Sequence, residues 1–162
     1  MAGIVLTDAS PLIALARVDG LNWLGSLFGE VWMPTQVRSE VMAGSGPDVE
    51  SLEAAETAGI LRIWPSSSPS HPDLPDLDEG ESACIRIGLA HADGALILMD
   101  ERAGRALAQE YGLRVAGTAA VIGMARSRGL IPSAREVFAR LHASDFRISA
   151  SVIDTILHRV GE

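Results

Sequence analysis

Five short apolar runs, at residues 3–7, 30–33, 60–64, 95–99 and 113–116, alternate with stretches that carry helix-start residues and helical periodicity. That alternation leaves few folds open. Parallel strands need crossover connections, and helices between them cover both faces of the sheet. The chain reads as one α/β domain with a parallel sheet between helical layers. Three of the runs also meet acid at or just past their C-terminal end. Val5-Leu6-Thr7 runs into Asp8. Val31-Trp32-Met33 leads through Pro34 into a helix that carries Glu40. Leu96-Ile97-Leu98-Met99 runs into Asp100-Glu101. In an open parallel sheet the C-terminal strand ends outline the crevice where ligands bind. Carboxylates gathered there repel one another and are costly to desolvate, and a divalent cation is the usual physical reason to keep them together.

The helix signals are local. Ser10-Pro11 reads as a cap followed by Pro at the first helical position, with Leu12, Ile13, Leu15 and Ala16 on an apolar face. A short helix over 22–28 ends at Gly29, Thr35 caps a helix to residue 43, and an acidic helix over 48–58 ends at Gly59. Asp78 and Glu81 have capping-box spacing, opening a helix to about residue 92. Further helices are expected over 102–111, from a Thr118 cap to residue 128, and from a Ser133/Glu136 capping box to about residue 143. The last spans 149–160, where Val152, Ile153, Ile156, Leu157 and Val160 form one stripe. That stripe packs on its own domain or meets a partner. Residues 65–76 hold four prolines and read as a surface connector or a lid over the crevice.

A chain of 162 residues supports one well-buried core. The lone Cys84 has no disulfide partner within the chain, so a reducing, cytoplasmic setting is expected. The first residues carry no basic region or cleavage pattern, so no secretory signal is expected. No apolar run approaches the roughly 18 residues of a membrane span. All thirteen basic residues are Arg. Without Lys there is no P-loop, and receiver domains and aspartate-nucleophile phosphatases lose a residue that their patterns require. No Gly-x-Gly-x-x-Gly follows a strand, so a dinucleotide site is unsupported. Charge is uneven: residues 1–100 hold four Arg against fifteen acids, net −11, and residues 101–162 hold nine Arg against six acids, net +3. The acidic whole argues against loose electrostatic binding of nucleic acid, while the basic last third leaves room for a local phosphate-binding face.

Several segments together resemble one family. Val5-Leu6-Thr7-Asp8-Ala9-Ser10-Pro11-Leu12-Ile13 resembles the opening of PIN domains, and Val37-Arg38-Ser39-Glu40-Val41 resembles their second acidic element. Gly80-Glu81-Ser82-Ala83-Cys84-Ile85 and Leu98-Met99-Asp100-Glu101-Arg102 resemble the third and fourth. Gly117-Thr118 and Arg128-Gly129-Leu130-Ile131-Pro132 are similar to a bacterial and archaeal branch of PIN-like proteins. Where relatives in that branch often carry a second acid, this chain has Ala83. The resemblance implies a three-layer α/β/α fold with a mostly parallel central sheet and extra C-terminal helices. It also implies a Mg²⁺- or Mn²⁺-dependent ribonuclease, often the toxin of a toxin–antitoxin pair. Residues 1–147 would form the nuclease domain, and residues 148–162 a helix packed on it or at an interface.

The candidate metal ligands and catalytic acids are Asp8, Glu40, Glu81 and Asp100, with Glu101 as an alternative or additional ligand. Carboxylates suit the chemistry, because hard cations on oxygen ligands supply both a nucleophilic water and charge relief on a phosphoryl group. His71, His91, His142 and His158 have no ligand-like spacing, so zinc is unsupported. Each acid also has a structural role open to it: a turn for Asp8, a solvated helix face for Glu40, a capping partner for Glu81 and a helix cap for Asp100. Ser10 and Thr118 are placed to hydrogen-bond a carboxylate or a metal-bound water, and Arg102 and Arg105 to meet phosphate. The expected partners are an RNA substrate, a cognate antitoxin protein and a second copy of the chain in a homodimer, with no membrane. Two other functions remain open: a non-catalytic module that binds nucleic acid or protein, and a small-molecule phosphohydrolase using the same site.

Overall fold

Each of the five apolar runs forms a strand in the computed structural model, which describes residues 3–65, 74, 77–91 and 94–162. The strands are β1 Val5–Thr7, β2 Val31–Met33, β3 Leu61–Ile63, β4 Leu96–Leu98 and β5 Arg114–Ala116. They pair in parallel throughout, in the order β3-β2-β1-β4-β5. Leu6, Ile97 and Leu98 are fully buried, as a sheet covered on both faces requires.

Among the described residues, nine helices flank this sheet. They are α1 Ala9–Arg17, α2 Leu21–Phe28, α3 Thr35–Met42, α4 Pro47–Thr57, α5 Glu79–Ala90, α6 Arg102–Glu110, α7 Thr118–Ser127, α8 Ala134–Ala143 and α9 Ala150–Arg159. Right-handed crossovers explain their placement. The chain moves one way from β1 to β3 and the other way from β4 to β5, so the connecting helices fall on opposite faces. Accordingly α5 packs on β1, β4 and α6, while α1 and α2 pack on each other, on α4 and on α7. The result is a three-layer α/β/α fold with an all-parallel sheet.

Two apolar clusters hold it. The larger surrounds the sheet and includes Leu6, Leu12, Leu15, Ile85, Ile97 and Met99. The smaller joins Ala14 and Val18 of the α1 region to Ile122, Phe138, Leu141, Ile156 and Leu157. The α9 stripe is therefore packed on its own domain through Ile156 and Leu157, while Val152 at its start is 44% exposed.

Several helix starts differ from expectation. α1 begins at Ala9 with Asp8 in the cap position, not Ser10, because the Asp8 backbone is already extended at φ −80° and ψ 172°. Pro34 and Gly117, not Thr35 and Thr118, occupy the cap positions of α3 and α7. The capping box of α5 forms as expected between Asp78 and Glu81. At α8, Ser133 accepts from the Glu136 N–H at 3.1 Å, but Glu162 accepts from the Ala134 N–H at 2.6 Å and from the Ser133 hydroxyl at 2.8 Å. The proline-rich stretch 65–76 lies, apart from Pro65 and Leu74, outside the described residues, as does His71. No helix among the described residues is long and apolar enough to cross a membrane.

Candidate active site

β1 and β4 are neighbours, and the direction of strand progression reverses between them. This is the topological switch point, where side chains just past the strand ends face a crevice. The Asp8 N–H donates to the Leu98 carbonyl at 2.9 Å, which ties the two strand ends together. A cleft of about 860 Å³ opens there. Its lining includes Asp8, Glu40, Asp78, Glu81, Asp100 and Glu101, together with Ser10 and Arg105.

Asp8 is the most confined of these acids, at 4% exposure. Its Oδ1 is buried and has no hydrogen-bond partner among the described residues. Burial pushes the carboxyl up to about 7; the Ala9 N–H opposes that rise, while the Asp78, Glu81 and Glu40 charges add to it. Gly80 makes the confinement possible. A Cβ there would stand 3.0 Å from Asp8 Oδ1 and 3.2 Å from Val37 Cγ2. Without a side chain, the first turn of α5 can lie directly on the Asp8 carboxylate.

The remaining acids are held in different ways. Glu81 is buried, donates its N–H to Asp78 Oδ1 at 2.7 Å and accepts from the Asp78 N–H at 3.4 Å. Its carboxyl is raised by burial and then by the Asp78 charge, and Glu40 in the same cleft is raised by the same two causes. Asp100 is clamped by Thr118: Oδ1 accepts from the backbone N–H and Oδ2 from the hydroxyl, both at 2.7 Å. A Cβ at Gly117 would meet Asp100 Oδ1 at 2.9 Å, so the tight start of α7 also depends on a missing side chain. Glu101 is exposed at the cap position of α6 and makes no side-chain cap bond.

The fold thus brings Asp8, Glu40, Glu81, Asp100 and Glu101 into one cleft, with Ser10 and Arg105 beside them. Arg105 Nη1 donates to the Met99 carbonyl at 3.0 Å, which holds the guanidinium over the β4 end. Thr118 is fully buried and bonded to Asp100, so its hydroxyl orients a carboxylate instead of reaching a substrate. Arg102 is exposed as the first residue of α6 and does not line the cleft. Asp78 belongs to the site as well as to the helix cap. The capping pattern marked its position in the sequence, and its place beside the crevice follows only from the fold. Residues 145–149 with Val152, Ile156 and Arg159 also line the cleft, likewise a product of chain path.

Among the described residues, no three His, Cys, Asp or Glu side chains are arranged to enclose a metal ion. The donor set nonetheless suits a hard cation. It is all carboxylate, its most buried member has an unpartnered oxygen, and that member, Asp8, is raised further by the Asp78, Glu81 and Glu40 charges. A positive charge placed among them relieves both the orphaned oxygen and the mutual repulsion.

A search of curated proteins finds no match to the chain. The family comparison is extensive: the PIN-domain family DUF3368 matches residues 4–162, which takes in every strand and helix described above. With that match laid over an all-parallel sheet whose switch point collects the acids, the chain belongs to the PIN-domain family, whose fold is of nuclease type.

Proposed function

We propose that this protein is a Mg²⁺- or Mn²⁺-dependent ribonuclease that cleaves phosphodiester bonds within RNA. One observation carries the reading. In a PIN fold, the buried Asp8 carboxylate keeps an unpartnered oxygen while surrounded by other carboxylates at the switch point. Such a group opposes folding unless a ligand compensates it, so its purpose is binding.

Asp8, Glu40, Glu81 and Asp100 would hold the cation, with Asp78 and Glu101 at the margin. When bound, the cation supplies charge relief on the phosphoryl oxygens and a water of lowered pKa. The protein's own residues supply the rest. Thr118 fixes the Asp100 carboxylate plane through two short hydrogen bonds. The α5 capping box fixes Glu81. Arg105, held by the Met99 carbonyl, presents positive charge beside the acids, where a phosphate oxygen would sit. Ser10 lines the same cleft and offers a hydroxyl there. The toxin role and a cognate antitoxin protein belong to the same reading, and cytoplasmic RNA is the natural target.

The test is cleavage of a labelled single-stranded RNA with Mg²⁺ or Mn²⁺, and with the ions chelated. Internal cuts that require the ion support the reading. Tight RNA binding without cuts under any ion would replace it with a binding module. Turnover of nucleoside monophosphates in preference to RNA would replace it with a phosphohydrolase.

A further inference from the structure

Three glycines stand against three of the acids. Gly80 lies on Asp8 and Gly117 on Asp100, as described above. The third is Gly104, buried in the first turn of α6. A Cβ there would stand 2.6 Å from Met99 Sδ, 3.3 Å from Glu81 Cδ and 3.6 Å from Glu81 Oε1. The Gly104 backbone is helical and its φ is not positive, so no unusual torsion calls for glycine. Within a helix, glycine is less favourable than alanine. The position is explained by the side chain it lacks, which lets the α6 backbone lie on the Glu81 carboxyl group and on Met99.

Glu81 needs that support. Its Oε2 accepts from the Asp78 N–H at 3.4 Å, longer than a typical N–H···O bond. The last torsion of a glutamate side chain is broad, so one long bond leaves the carboxylate plane free to turn. Oε1 is the oxygen nearer Gly104, and the α6 backbone stands where it limits that turn. An alanine methyl would have to displace Glu81, displace the fully buried Met99 side chain, or lift α6. The 3.3 Å approach to Glu81 Cδ remains even where Met99 yields.

We propose that Gly104 is a positioning residue for the metal centre: the side chain it lacks lets α6 hold the Glu81 carboxylate in the orientation that binds the cation. This rests on the metal-dependent reading above and adds a residue outside the carboxylate set.

The test is the affinity of the full chain for Mn²⁺ alone, read without RNA from the electron paramagnetic resonance signal of the free ion. Gly104→Ala should weaken it by about tenfold or more. Glu81→Gln keeps the shape of the side chain and removes its charge. Because Gly104 acts through Glu81, adding Gly104→Ala to Glu81→Gln should weaken binding little further. Gly25→Ala crowds a helix contact elsewhere, with its Cβ 3.1 Å from Ile60 Cγ1, and neither residue lines the cleft; it should leave the affinity at the wild-type value. Where Gly104→Ala does not unfold cooperatively, Met99→Val with Gly104→Ala removes the Sδ overlap, keeps the approach to Glu81 and is measured against Met99→Val. Wild-type affinity in a folded Gly104→Ala variant overturns the inference and leaves the nuclease reading standing. So does an effect undiminished in the Glu81→Gln background, or an equal weakening in Gly25→Ala. Loss of folding in both alanine variants makes Gly104 a packing residue and overturns the inference as well. A wild-type chain that binds no Mn²⁺ overturns the metal-dependent reading and this inference with it.

Discussion

Asp8 and Glu162 are two carboxylates of one molecule placed in opposite circumstances. Asp8 is nearly inaccessible, has a buried oxygen without a donor, and faces three other acids. Glu162 receives the Ala134 and Arg135 N–H groups and the Ser133 hydroxyl, and lies 3.3 Å from the Arg126 guanidinium. Burial pushes both upward. At Asp8 the neighbouring charges add to that push; at Glu162 the donors and Arg126 reverse it and leave the carboxyl below its usual range. Glu162 is thus complete within the chain, where it caps α8 and pins the end of α9. Asp8 is left with an unpartnered oxygen, which the proposed function assigns to a cation. In this pair the carboxylate with the unpartnered oxygen lies in the cleft, and the one supplied with donors lies at a helix end.

The sharpest way to break this contrast is Asp8→Asn. Loss of one ligand should lower ion-dependent RNA cleavage by about a hundredfold or more, since even supporting residues around metal ligands cost 10–100-fold. The melting temperature without metal should hold level or rise, because the buried charge is gone. A large fall in metal-free melting temperature would place Asp8 with Glu162 as a structural group.

The next effect is in pH, and the two groups pull in opposite directions. Asp8, raised in the folded state, contributes stability below its unfolded value near 3.8 and loses it as pH climbs through about 7. Glu162, lowered in the folded state, contributes stability above its ordinary value of 4.5 and loses it as pH falls through its depressed folded value. Metal-free protein should therefore lose stability between about pH 4 and pH 7, by a few kcal/mol at most. Denaturant unfolding at several pH values measures this. Asp8→Asn should flatten that decline and leave the acid limb in place; an unchanged decline would assign it to other groups.

The smallest effect is expected at Glu162→Gln. The amide keeps one acceptor but loses the charge beside Arg126 and the α8 N-terminus. A cost of about 1 kcal/mol follows from cap and charge-assisted bonds of this kind. Urea unfolding reads it, and metal affinity should not move. A change in metal affinity would show that the two carboxylates communicate.

The contrast also shows where sequence reading reaches its limit. The strands and the acids at their ends were legible because both are local: an apolar run followed by Asp needs no knowledge of the rest of the chain. The Asp78/Glu81 box was legible for the same reason, three residues apart. In the sequence Asp78 shows only the spacing of a cap, because its nearness to Asp8 depends on the crossover that carries α5 to β1. Arg102 is close to Asp100 in sequence, but its position at the start of α6 leaves it in solvent. The Ser10 cap failed by two residues, since the helix starts as soon as Asp8 leaves the strand. Glu162 on Ala134 joins positions 28 apart, with no pattern to announce it. Residues 145–149 and Arg159 reach the cleft only through the path of α8 and α9, which no local pattern announces.

The α5 capping box has a consequence for how this protein can change over time. Asp78 and Glu81 hold the first turn of α5 and also line the cleft. A substitution at either position costs helix stability and cleft chemistry together, so neither can drift while the other property is kept. Glu40 carries no such double duty, and a lineage that abandons catalysis while keeping the fold can shed it first. In such a lineage Asp78 and Glu81 would outlast the activity they once served, as relics maintained by the helix alone.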